Sequence, residues 1–374
     1  MQAYFDFNAT APIRSEAIDA MNEAMGLCGN ASSVHSAGRT ARGIVDKARS
    51  SVASLVGAKS ESVIFCGSGT EADNQALRCV PAERVIISAI EHEAVMQACG
   101  DPVKVAVGND GVIDLAALEK ALAESKVKTL VSVMAANNET GVIQPVKEIA
   151  RLARKYDAIV HTDAIQAAGK IEVNVDEWDI DLLSLSAHKI GGPQGVGALI
   201  ACNSVSLSRF VHGGGQERGL RAGTENVSGI SGFGAAAEAA LAGLDSFGAL
   251  RKMRNSIENG LLEIDPSIKI FGQNRDRLPN TSKLASPGLN SETQVMGMDL
   301  AGFAISAGSA CAAGRVEPPY VLTAMGVDDC LANSAIRISL GWTTKEIEID
   351  EFVQQWSKLF SRNRIRNRTS DEMR

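Results

Sequence analysis

The sequence predicts an α/β fold, with a large domain built on a mostly parallel sheet and a smaller α+β domain. Short apolar runs of strand length alternate with amphipathic helical patterns over roughly the first two thirds of the chain. Polar residues and glycines follow several of these runs, as is typical where the carboxyl ends of parallel strands meet. After about Ala242 the pattern changes to a long amphipathic helix, separate strands and a final helix. We therefore assign residues 13–244 to the large domain, and residues 1–12 with 245–374 to the small one.

The elements of the large domain follow from hydrophobic periodicity. Gly43 to Val56 carries one apolar helical stripe that ends at Gly57, and the run from Val63 to Cys66 indicates a buried strand. Further strands are predicted at Arg84 to Ser88, Val103 to Val107, Lys128 to Met134, Ala158 to Thr162, Asp181 to Ser186 and Val196 to Ala201. Helical patterns lie between several of them, such as the one from Pro145 to Tyr156.

The last helix of the small domain is predicted to begin near Thr343, because Thr343 and Glu346 have the spacing of a capping box. Its apolar residues lie on one face, which we expect to be core: Ile349, Phe352, Val353, Trp356, Leu359 and Phe360. An arginine-rich tail follows, which is typical of a frayed and solvated chain end.

Composition limits the possible functions. The chain has 374 residues, of which 45% are hydrophobic, so it can bury a core without disulfide staples. Its 37 basic and 44 acidic residues give a formal charge of -7, which argues against nucleic acid or an anionic membrane as partner. The seven cysteines are odd in number and lack C-x-x-C spacing, so we expect no disulfide framework and no metal site. With no bilayer-length apolar stretch and no secretory pattern, a cytoplasmic protein is expected.

Two strand ends carry residues that suit an aldehyde cofactor. Lys189 follows the strand that ends near Ser186, and its amine can form an imine with an aldehyde. Asp163 ends another apolar strand, where a carboxylate can keep a pyridine nitrogen protonated, and Gln166 could reach the ring hydroxyl. Together these residues predict pyridoxal phosphate. Taken singly, Lys189 could be a solvated surface lysine and Asp163 a turn cap.

A glycine-rich turn offers a place for the phosphate. Gly67-Ser68-Gly69-Thr70-Glu71-Ala72 follows a strand and opens a helix, so its backbone N–H groups and the Thr70 hydroxyl could bind an anion. The same segment matches a dinucleotide fingerprint, and Glu91 ends the next strand, where a ribose-binding acid would lie. A Rossmann enzyme is therefore the main alternative. We favour the smaller cofactor because a dinucleotide would leave the lysine and the strand-end aspartate unexplained.

His92 and the Asn137–Gly141 segment also follow predicted strands. The His92 imidazole could stack on a pyridine ring or relay protons, although a structural role is equally compatible with its position. The segment Asn137-Asn138-Glu139-Thr140-Gly141 is either an ordinary turn or a ligand-binding loop.

Two residues in the small domain suit work on a substrate. Cys311 is surrounded by Gly, Ala and Ser residues, which indicates an accessible loop where a nucleophile could operate. Arg337 lies in an apolar strand pattern and, if buried, needs an anionic partner. That partner is either a substrate carboxylate or a structural carboxylate.

The ordered set of motifs resembles the pyridoxal-phosphate cysteine desulfurases of the nitrogenase-cluster and iron–sulfur-cluster type, within the class V aminotransferase superfamily. The motifs are Glu91-His92, Asn137-Asn138-Glu139-Thr140-Gly141, Asp163-Ala164-Ile165-Gln166, Ser186-Ala187-His188-Lys189, Gly213-Gly214-Gly215-Gln216-Glu217-Arg218-Gly219, Arg221-Ala222-Gly223-Thr224-Glu225-Asn226 and Gly308-Ser309-Ala310-Cys311. The resemblance runs from about Tyr4 to Phe360.

The resemblance implies a fold type I homodimer with a mostly parallel, seven-stranded sheet. It implies conversion of L-cysteine to L-alanine, with the sulfur retained as an enzyme persulfide and passed to a sulfur-acceptor or iron–sulfur scaffold protein. The Cys311 thiolate would attack the substrate sulfur. Asn138 and Arg337 would hold the substrate carboxylate.

The resemblance also implies roles around the cofactor. Lys189 would form the imine and move the Cα proton, and His92 would stack on the ring and assist proton transfer. Asp163 and Gln166 would hold the ring nitrogen and the phenolic oxygen. The phosphate would be bound by Gly69, Thr70, Ser186 and His188, with Thr224 reaching it from the partner subunit.

The sequence departs from the family pattern in places. Ala312 and Ala313 replace hydroxyl residues that are common after the cysteine, and the arginine-rich ending does not resemble a scaffold-docking C-terminus, so the sulfur acceptor is left open. Two alternatives remain: another fold type I lyase or aminotransferase, including a selenocysteine lyase-like enzyme, in which Cys311 is incidental, and a non-catalytic scaffold with the same fold.

Overall fold

A computed structural model describes residues 3–202, 205–307 and 319–372. Its strands are β1 (Ala3–Tyr4), β2 (Val63–Cys66), β3 (Arg84–Ser88), β4 (Val103–Val105), β5 (Thr129–Ser132), β6 (Ile159–Asp163), β7 (Leu182–Ser186), β8 (Gly197–Ala201), β9 (Lys269–Ile270), β10 (Thr281–Ala285), β11 (Phe303–Ala304) and β12 (Ala335–Ser339).

The helices alternate with these strands along much of the chain. They are α1 (Ser15–Met25), α2 (Ser36–Leu55), α3 (Gly69–Arg78), α4 (Glu93–Met96), α5 (Leu115–Ala123), α6 (Val146–Arg154), α7 (Val175–Trp178), α8 (Val227–Ala242), α9 (Leu244–Gly248), α10 (Leu250–Ile264), α11 (Ser291–Leu300), α12 (Tyr320–Ala324), α13 (Asp329–Ala332) and α14 (Glu346–Glu372). Short 3-10 turns cover Ser60–Ser62, Ala187–Lys189 and Gln216–Gly219.

The central sheet has the strand order β2-β8-β7-β6-β5-β3-β4, seven strands within the described part of the chain. Strands β4, β3, β5, β6 and β7 pair in parallel, and β8 runs antiparallel to both of its neighbours. The predicted α/β class with a mostly parallel sheet is therefore confirmed. Each predicted strand is present, although β4 and β5 end two residues earlier than the apolar runs suggested.

Successive residues of the inner strands enter two different cores. On β5, Leu130 packs in the core beneath α3, whereas Val131 packs in the core beneath α2 and α8. On β6, Ile159 and Val160 divide in the same way. Because side chains alternate between the faces of a strand, helices on both faces require continuous apolar runs, which is the pattern in the sequence.

A second sheet, with the order β12-β10-β9, packs with α10, α11 and α14 around a separate core. Phe5 from the N-terminal segment joins this core, and β1 pairs with β11. The predicted inner face of α14 is confirmed, since Phe352 and Trp356 are fully buried there.

The predicted capping box at the start of α14 is wrong in detail. The helix begins at Glu346, and the Lys345 N–H donates to the carboxylate of Glu348 at 2.8 Å. The Thr344 hydroxyl accepts from the Gly341 N–H at 3.1 Å instead of capping the helix. Because the helix starts later than Thr343 implied, the glutamate that reaches back is two residues further along.

Across the described residues, no individual helix combines the length and the apolar composition needed to cross a membrane; the segments Val227–Ala242 and Leu244–Ile264 meet those requirements only jointly, with a bend of 66° between them.

Candidate active site

A cavity of about 290 Å³ lies at the carboxyl ends of β6 and β7, beside the N-terminus of α3. It brings together most of the predicted site residues: Gly69, Thr70, His92, Asn138, Asp163, Gln166, Ser186, His188, Lys189 and Arg337. Thr224 does not line it, and Cys311 lies outside the described residues. Parallel strands with their helices thus deliver distant sequence positions to one edge of the sheet.

Lys189 ends the 3-10 turn that follows β7, and it is half-buried at the cavity wall. Its Nζ donates to the carbonyl oxygens of Asn8 at 2.6 Å and Ala9 at 2.7 Å. The amine is therefore oriented by the backbone of the N-terminal segment. The interpretation of Lys189 as a solvated surface lysine is wrong.

Asp163 ends β6 and is buried apart from the atoms that face the cavity. Its Oδ1 accepts from the Ile165 N–H at 2.8 Å. Burial raises the pKa of Asp163, while the Ile165 N–H and the nearby His92 and Lys189 side chains oppose that rise. A cationic group at the exposed side of this carboxyl would stabilise its anion further.

Two more carboxyls are fully buried near Asp163. Burial raises the pKa of Asp73 well above its ordinary value, and the charges of Asp163 and Glu91 add to the effect, against a lowering contribution from the Ser184 hydroxyl. Burial likewise raises the pKa of Glu91. Glu91 does not line the cavity, since its Oε1 accepts from the Met134 N–H at 2.9 Å. A ribose-binding role for Glu91 has no geometric support.

Below these acids, His161 on β6 lies between two serines. Its Nδ1 is 2.8 Å from the Ser132 hydroxyl and its Nε2 is 2.9 Å from the Ser184 hydroxyl. Burial lowers the pKa of His161 to about 3, so the ring is neutral near pH 7. Because the ring is neutral, its 3.7 Å approach to Asp73 is not an ion pair, although the distance alone would suggest one.

The N-terminus of α3 forms an anion-binding cradle. Ser68 caps the helix by accepting from the Glu71 N–H at 3.1 Å, and the Glu71 carboxylate accepts from the Gly67 N–H at 2.7 Å. A Cβ on Gly69 would meet the end of the Ile165 side chain and would lie 3.2 Å from the Ser186 Cβ, so glycine lets the helix approach the strand ends without displacing these side chains. The first N–H groups of α3 and the positive end of its dipole face the cavity.

His188 and His92 lie on different walls of the cavity. The His188 Nδ1 is 3.1 Å from the Thr10 hydroxyl, and burial with the charges of Lys189 and Lys170 lowers the pKa of His188 to about 4. The His92 Nδ1 accepts from the Ala94 N–H at 3.1 Å and caps α4. His92 therefore has the structural role that the sequence left open, and its ring also lines the cavity.

Arg337 on β12 is buried and uses only part of its guanidinium within the chain. It donates to the Asn138 carbonyl at 3.1 Å and to the Asp6 carboxylate at 2.7 Å. Its Nε finds no acceptor, and the Asn138 Oδ1 finds no donor, among the described residues. The structural ion pair is thus present, and donor capacity remains for a ligand.

Asn137 and Asn138 have different functions in the turn after β5. The Asn137 Oδ1 accepts from the N–H groups of Glu139 at 3.0 Å and Thr140 at 2.9 Å, and Gly141 follows with a φ of 75°. Asn137 therefore builds the turn, and Asn138 is the residue that lines the cavity.

Thr224 lines a separate cavity of about 200 Å³, together with Gly67 and Arg221. Arg221 donates to Glu71 of the anion-binding cradle at 2.8 Å, so the segment before Thr224 is fixed against α3. Near Cys311, the described chain ends at Ala307, whose carbonyl accepts from Lys283 at 3.2 Å, and Ser306 pairs with the backbone of Arg337.

Sequence reasoning missed Asn8, Asp73 and Lys170. Asn8 and Asp73 line the cavity, and Lys170 is buried against Gln166. Each is a polar residue in a segment with no distinctive pattern. For Lys170, the available signal was its position seven residues after Asp163, because a turn that directly follows the strand end keeps its polar residues near the cavity.

The residues present fit pyridoxal phosphate. An anion-binding helix N-terminus, a buried carboxyl and an oriented lysine amine face one cavity.

The chain is similar to known proteins over nearly its whole length. The sequence model of the aminotransferase class-V family matches residues 3–352. A cysteine desulfurase of Cereibacter sphaeroides is 43% identical over 368 residues, covering 94% of both chains. The cysteine desulfurase IscS of Dictyoglomus turgidum is 39% identical, covering 92% of this chain and 91% of the relative.

Solved structures give the same result. A NifS-like protein from Rickettsia africae superposes with a TM-score of 0.89 at 34% identity, covering 96% of this chain and 100% of that one. The protein SspA, solved in complex with cysteine, has a TM-score of 0.77 at 29% identity and covers 90% of this chain and 98% of its own.

Proposed function

Because the chain belongs to the aminotransferase class-V family, we infer its activity from its relatives and its mechanism from its own cavity. It is a pyridoxal-phosphate-dependent cysteine desulfurase, which converts L-cysteine to L-alanine and takes up the sulfur as an enzyme persulfide. The observation that carries this conclusion is the convergence of an oriented amine, a buried carboxyl and a helix N-terminus on one cavity. The residue roles that follow are our proposal.

When bound, pyridoxal phosphate supplies an aldehyde for amines and a ring that withdraws electrons from the substrate Cα. We propose that the Asp163 carboxylate keeps the proton on the ring nitrogen and that Lys189 Nζ accepts the substrate Cα proton. The hydrogen bonds of Lys189 to Asn8 and Ala9 support this role because they hold Nζ at the cavity wall. His92 would orient the ring by stacking and assist proton transfer, and Gln166 would donate to the phenolic oxygen.

The phosphate is proposed to bind at α3. The N–H groups after Gly69, the Thr70 hydroxyl, Ser186 and His188 all line that end of the cavity. Thr224 would complete the site from a second subunit. Its absence from the lining of its own chain's main cavity, as far as the described residues define it, supports that idea.

The substrate carboxylate is proposed to bind Arg337 and Asn138. Support comes from the buried Arg337 Nε, for which the described residues offer no acceptor. A substrate carboxylate beside Arg337 would accept a charge-assisted hydrogen bond from this Nε. The Asp6 partner fixes the guanidinium plane.

Cys311 is proposed as the sulfur acceptor. Its thiolate would attack the substrate sulfur, so that a sulfur–sulfur bond forms while the substrate carbon–sulfur bond breaks. The electron pair of that bond stays with the carbon, which takes a proton and leaves as alanine. Support comes from Ser306, which pairs with the Arg337 backbone and so starts the segment at the proposed carboxylate site.

We also propose a cytoplasmic homodimer that supplies sulfur for iron–sulfur clusters or other sulfur compounds through a separate acceptor protein. Unpaired thiols support a reducing compartment: Cys28, Cys66, Cys79, Cys99, Cys202 and Cys330 are all free within the described chain. The division into domains at residues 12 and 244 is supported by the separate core that Phe5 shares with α10 and α14.

Incubation with L-cysteine tests the proposal directly. Wild-type protein is expected to form alanine and a persulfide on Cys311, and borohydride reduction with peptide mapping is expected to locate the cofactor on Lys189. C311A should keep the cofactor colour and lose sulfide release. C330A, which removes an exposed thiol elsewhere, is the matched control and should retain activity. Full turnover by C311A would indicate another lyase of the same fold.

A further inference from the structure

Asn8 lies at the centre of a hydrogen-bond network that joins the proposed catalytic groups. It is 1% exposed. Its backbone carbonyl accepts from Lys189 Nζ at 2.6 Å and from Gln166 Nε2 at 2.9 Å. Its side-chain Nδ2 donates to the Asn138 carbonyl at 3.1 Å. Lys189 and Gln166 therefore share a single oxygen atom as their acceptor.

Lys170 closes this network from the protein interior. It is 3% exposed, and its Nζ donates to the Asn8 Oδ1 at 2.9 Å and to the Gln166 Oε1 at 2.7 Å. The charged groups that face it are the cations Lys189 and Arg337, and no carboxylate pairs with it within the described chain. Burial and these cations lower the pKa of Lys170 well below its ordinary value. Burying a lysine amine without a carboxylate partner costs free energy of folding, and the two amide oxygens are the hydrogen-bond partners that offset this cost.

The polarity of both amides is fixed independently of Lys170. A backbone carbonyl can only accept, so the Gln166 atom that faces the Asn8 carbonyl must be Nε2. The Asn8 atom that faces the Asn138 carbonyl must, for the same reason, be Nδ2. Both amide oxygens then face Lys170 Nζ, which satisfies them together. The Asn8 Oδ1 also accepts from the Asn280 Nδ2 at 3.2 Å, whereas Lys170 Nζ is the donor for the Gln166 Oε1. A residue without a donor at position 170 would therefore leave the buried Gln166 oxygen unpaired, and the Gln166 amide would rotate to regain a partner.

We propose that Lys170 is a positioning residue that fixes the Gln166 amide with its N–H donor toward the phenolic oxygen of the cofactor. This inference rests on the proposed function, specifically on the role of Gln166. One Nε2 hydrogen is used at the Asn8 carbonyl, and Gln166 lines the cavity with the other available to a ligand. The shared Asn8 oxygen keeps that donor beside the Lys189 amine.

The proposed contact has a spectroscopic consequence. A donor on the phenolic oxygen stabilises its negative charge, so this oxygen attracts the proton shared with the Lys189 nitrogen less strongly. Without that donor, the proton is held more tightly. The pH midpoint at which the bound cofactor changes its visible absorbance then moves upward.

The test is a pH titration of visible absorbance in holoenzyme carrying K170M, which keeps the unbranched shape and most of the side-chain length and removes the donor. The midpoint is expected to rise by about one pH unit, as for loss of one hydrogen bond to a charged group. Q166A is expected to raise it similarly. The midpoint of the double variant K170M/Q166A should be no higher than that of Q166A alone, because Lys170 acts through Gln166. K170Q, which keeps an N–H donor of shorter reach, should rise less than K170M.

Several results would overturn the inference. A K170M midpoint equal to wild type, with only a lower melting temperature, would make Lys170 purely structural. Additive shifts in the double variant would exclude action through Gln166. If K170M does not fold, K170L, which also removes the donor, replaces it: an unshifted K170L midpoint decides against the proposal, and a raised one supports it. Wild-type enzyme without a borohydride-trapped cofactor on Lys189 overturns the proposed function, and this inference with it. A trapped cofactor with unshifted midpoints overturns the inference alone.

Discussion

At the scale of single residues, two buried aspartates that line the cavity differ in what surrounds them. Asp163 accepts from the Ile165 N–H and lies near the His92 and Lys189 side chains, which favour its anion against the effect of burial. Asp73 has neither oxygen in a hydrogen bond of normal geometry within the described residues, and burial favours its neutral form. The surroundings therefore favour the anion more strongly at Asp163 than at Asp73.

Asparagine substitutions should separate these two aspartates. D163N removes the carboxylate proposed to hold the pyridinium proton, and kcat is expected to fall by about 10- to 100-fold, the value of one charged hydrogen bond. D73N replaces a neutral acid with a neutral amide of the same shape, and kcat should remain within about twofold of wild type. Steady-state alanine formation measures both. Equal losses in the two variants would contradict the assigned charges.

The neutral state of Asp73 also predicts how stability depends on pH. A carboxyl whose pKa is raised by folding keeps its proton in the folded state after the unfolded chain has lost it, so stability falls as pH rises above the unfolded pKa. D73N removes that proton linkage. The melting temperature of D73N should therefore exceed that of wild type by more at pH 8 than at pH 5. A difference that shrinks as pH rises would show that Asp73 is ionised in the folded protein.

At the scale of elements, the site depends on how closely α3 approaches β6 and β7. Gly69 and Gly197 permit this contact, since a Cβ on Gly197 would lie 2.5 Å from the Ser68 carbonyl carbon. The helix N-terminus thereby lies at the strand ends, where its N–H groups can serve the phosphate.

G69A should displace α3 and weaken cofactor binding. The added methyl meets the Ile165 side chain, and overpacking of this kind costs about 1–3 kcal/mol, so the cofactor Kd is expected to rise about tenfold or more. G43A is the matched control, because a Cβ there meets nothing within 4 Å in the middle of α2. That control should bind cofactor normally and gain about 0.5–1 kcal/mol of stability. Unchanged cofactor affinity in G69A would show that the cradle is not the phosphate site.

At the scale of the whole molecule, the N-terminal segment connects the core of the small sheet to the cavity at the edge of the large sheet. Phe5 lies in the core of the small sheet, while Asn8 and Ala9 bind Lys189 in the large domain. Asp6, between them, holds Arg337. A short stretch of chain thus couples the proposed carboxylate site to the proposed catalytic lysine.

Hybrid dimers can test whether Thr224 serves the neighbouring subunit. A dimer of one T224A subunit with one K189A subunit contains an intact site only if Thr224 acts across the interface: the T224A subunit then supplies Lys189, and its partner supplies Thr224. We expect such hybrids to regain about half of wild-type activity at low cofactor concentration, whereas T224A and K189A homodimers do not. Hybrids no better than the homodimers would place Thr224 in its own subunit's site.

The sequence by itself determined the order of the elements, the mostly parallel class of the sheet, and the positions of Lys189, Asp163 and the α3 turn at strand ends. These features are local, because periodicity and strand-end position record how each segment meets its neighbours. Asn8 and Lys170 were decided only by the tertiary structure. Asn8 meets partners that are distant in the chain, Lys189 at a sequence separation of 181 and Lys170 at 162, and no local pattern records which carbonyl will meet which amine. The directions of the pKa shifts of the buried acids depend on the tertiary structure in the same way, since burial by the folded chain, not residue type, shifts the balance between a carboxylate and its acid.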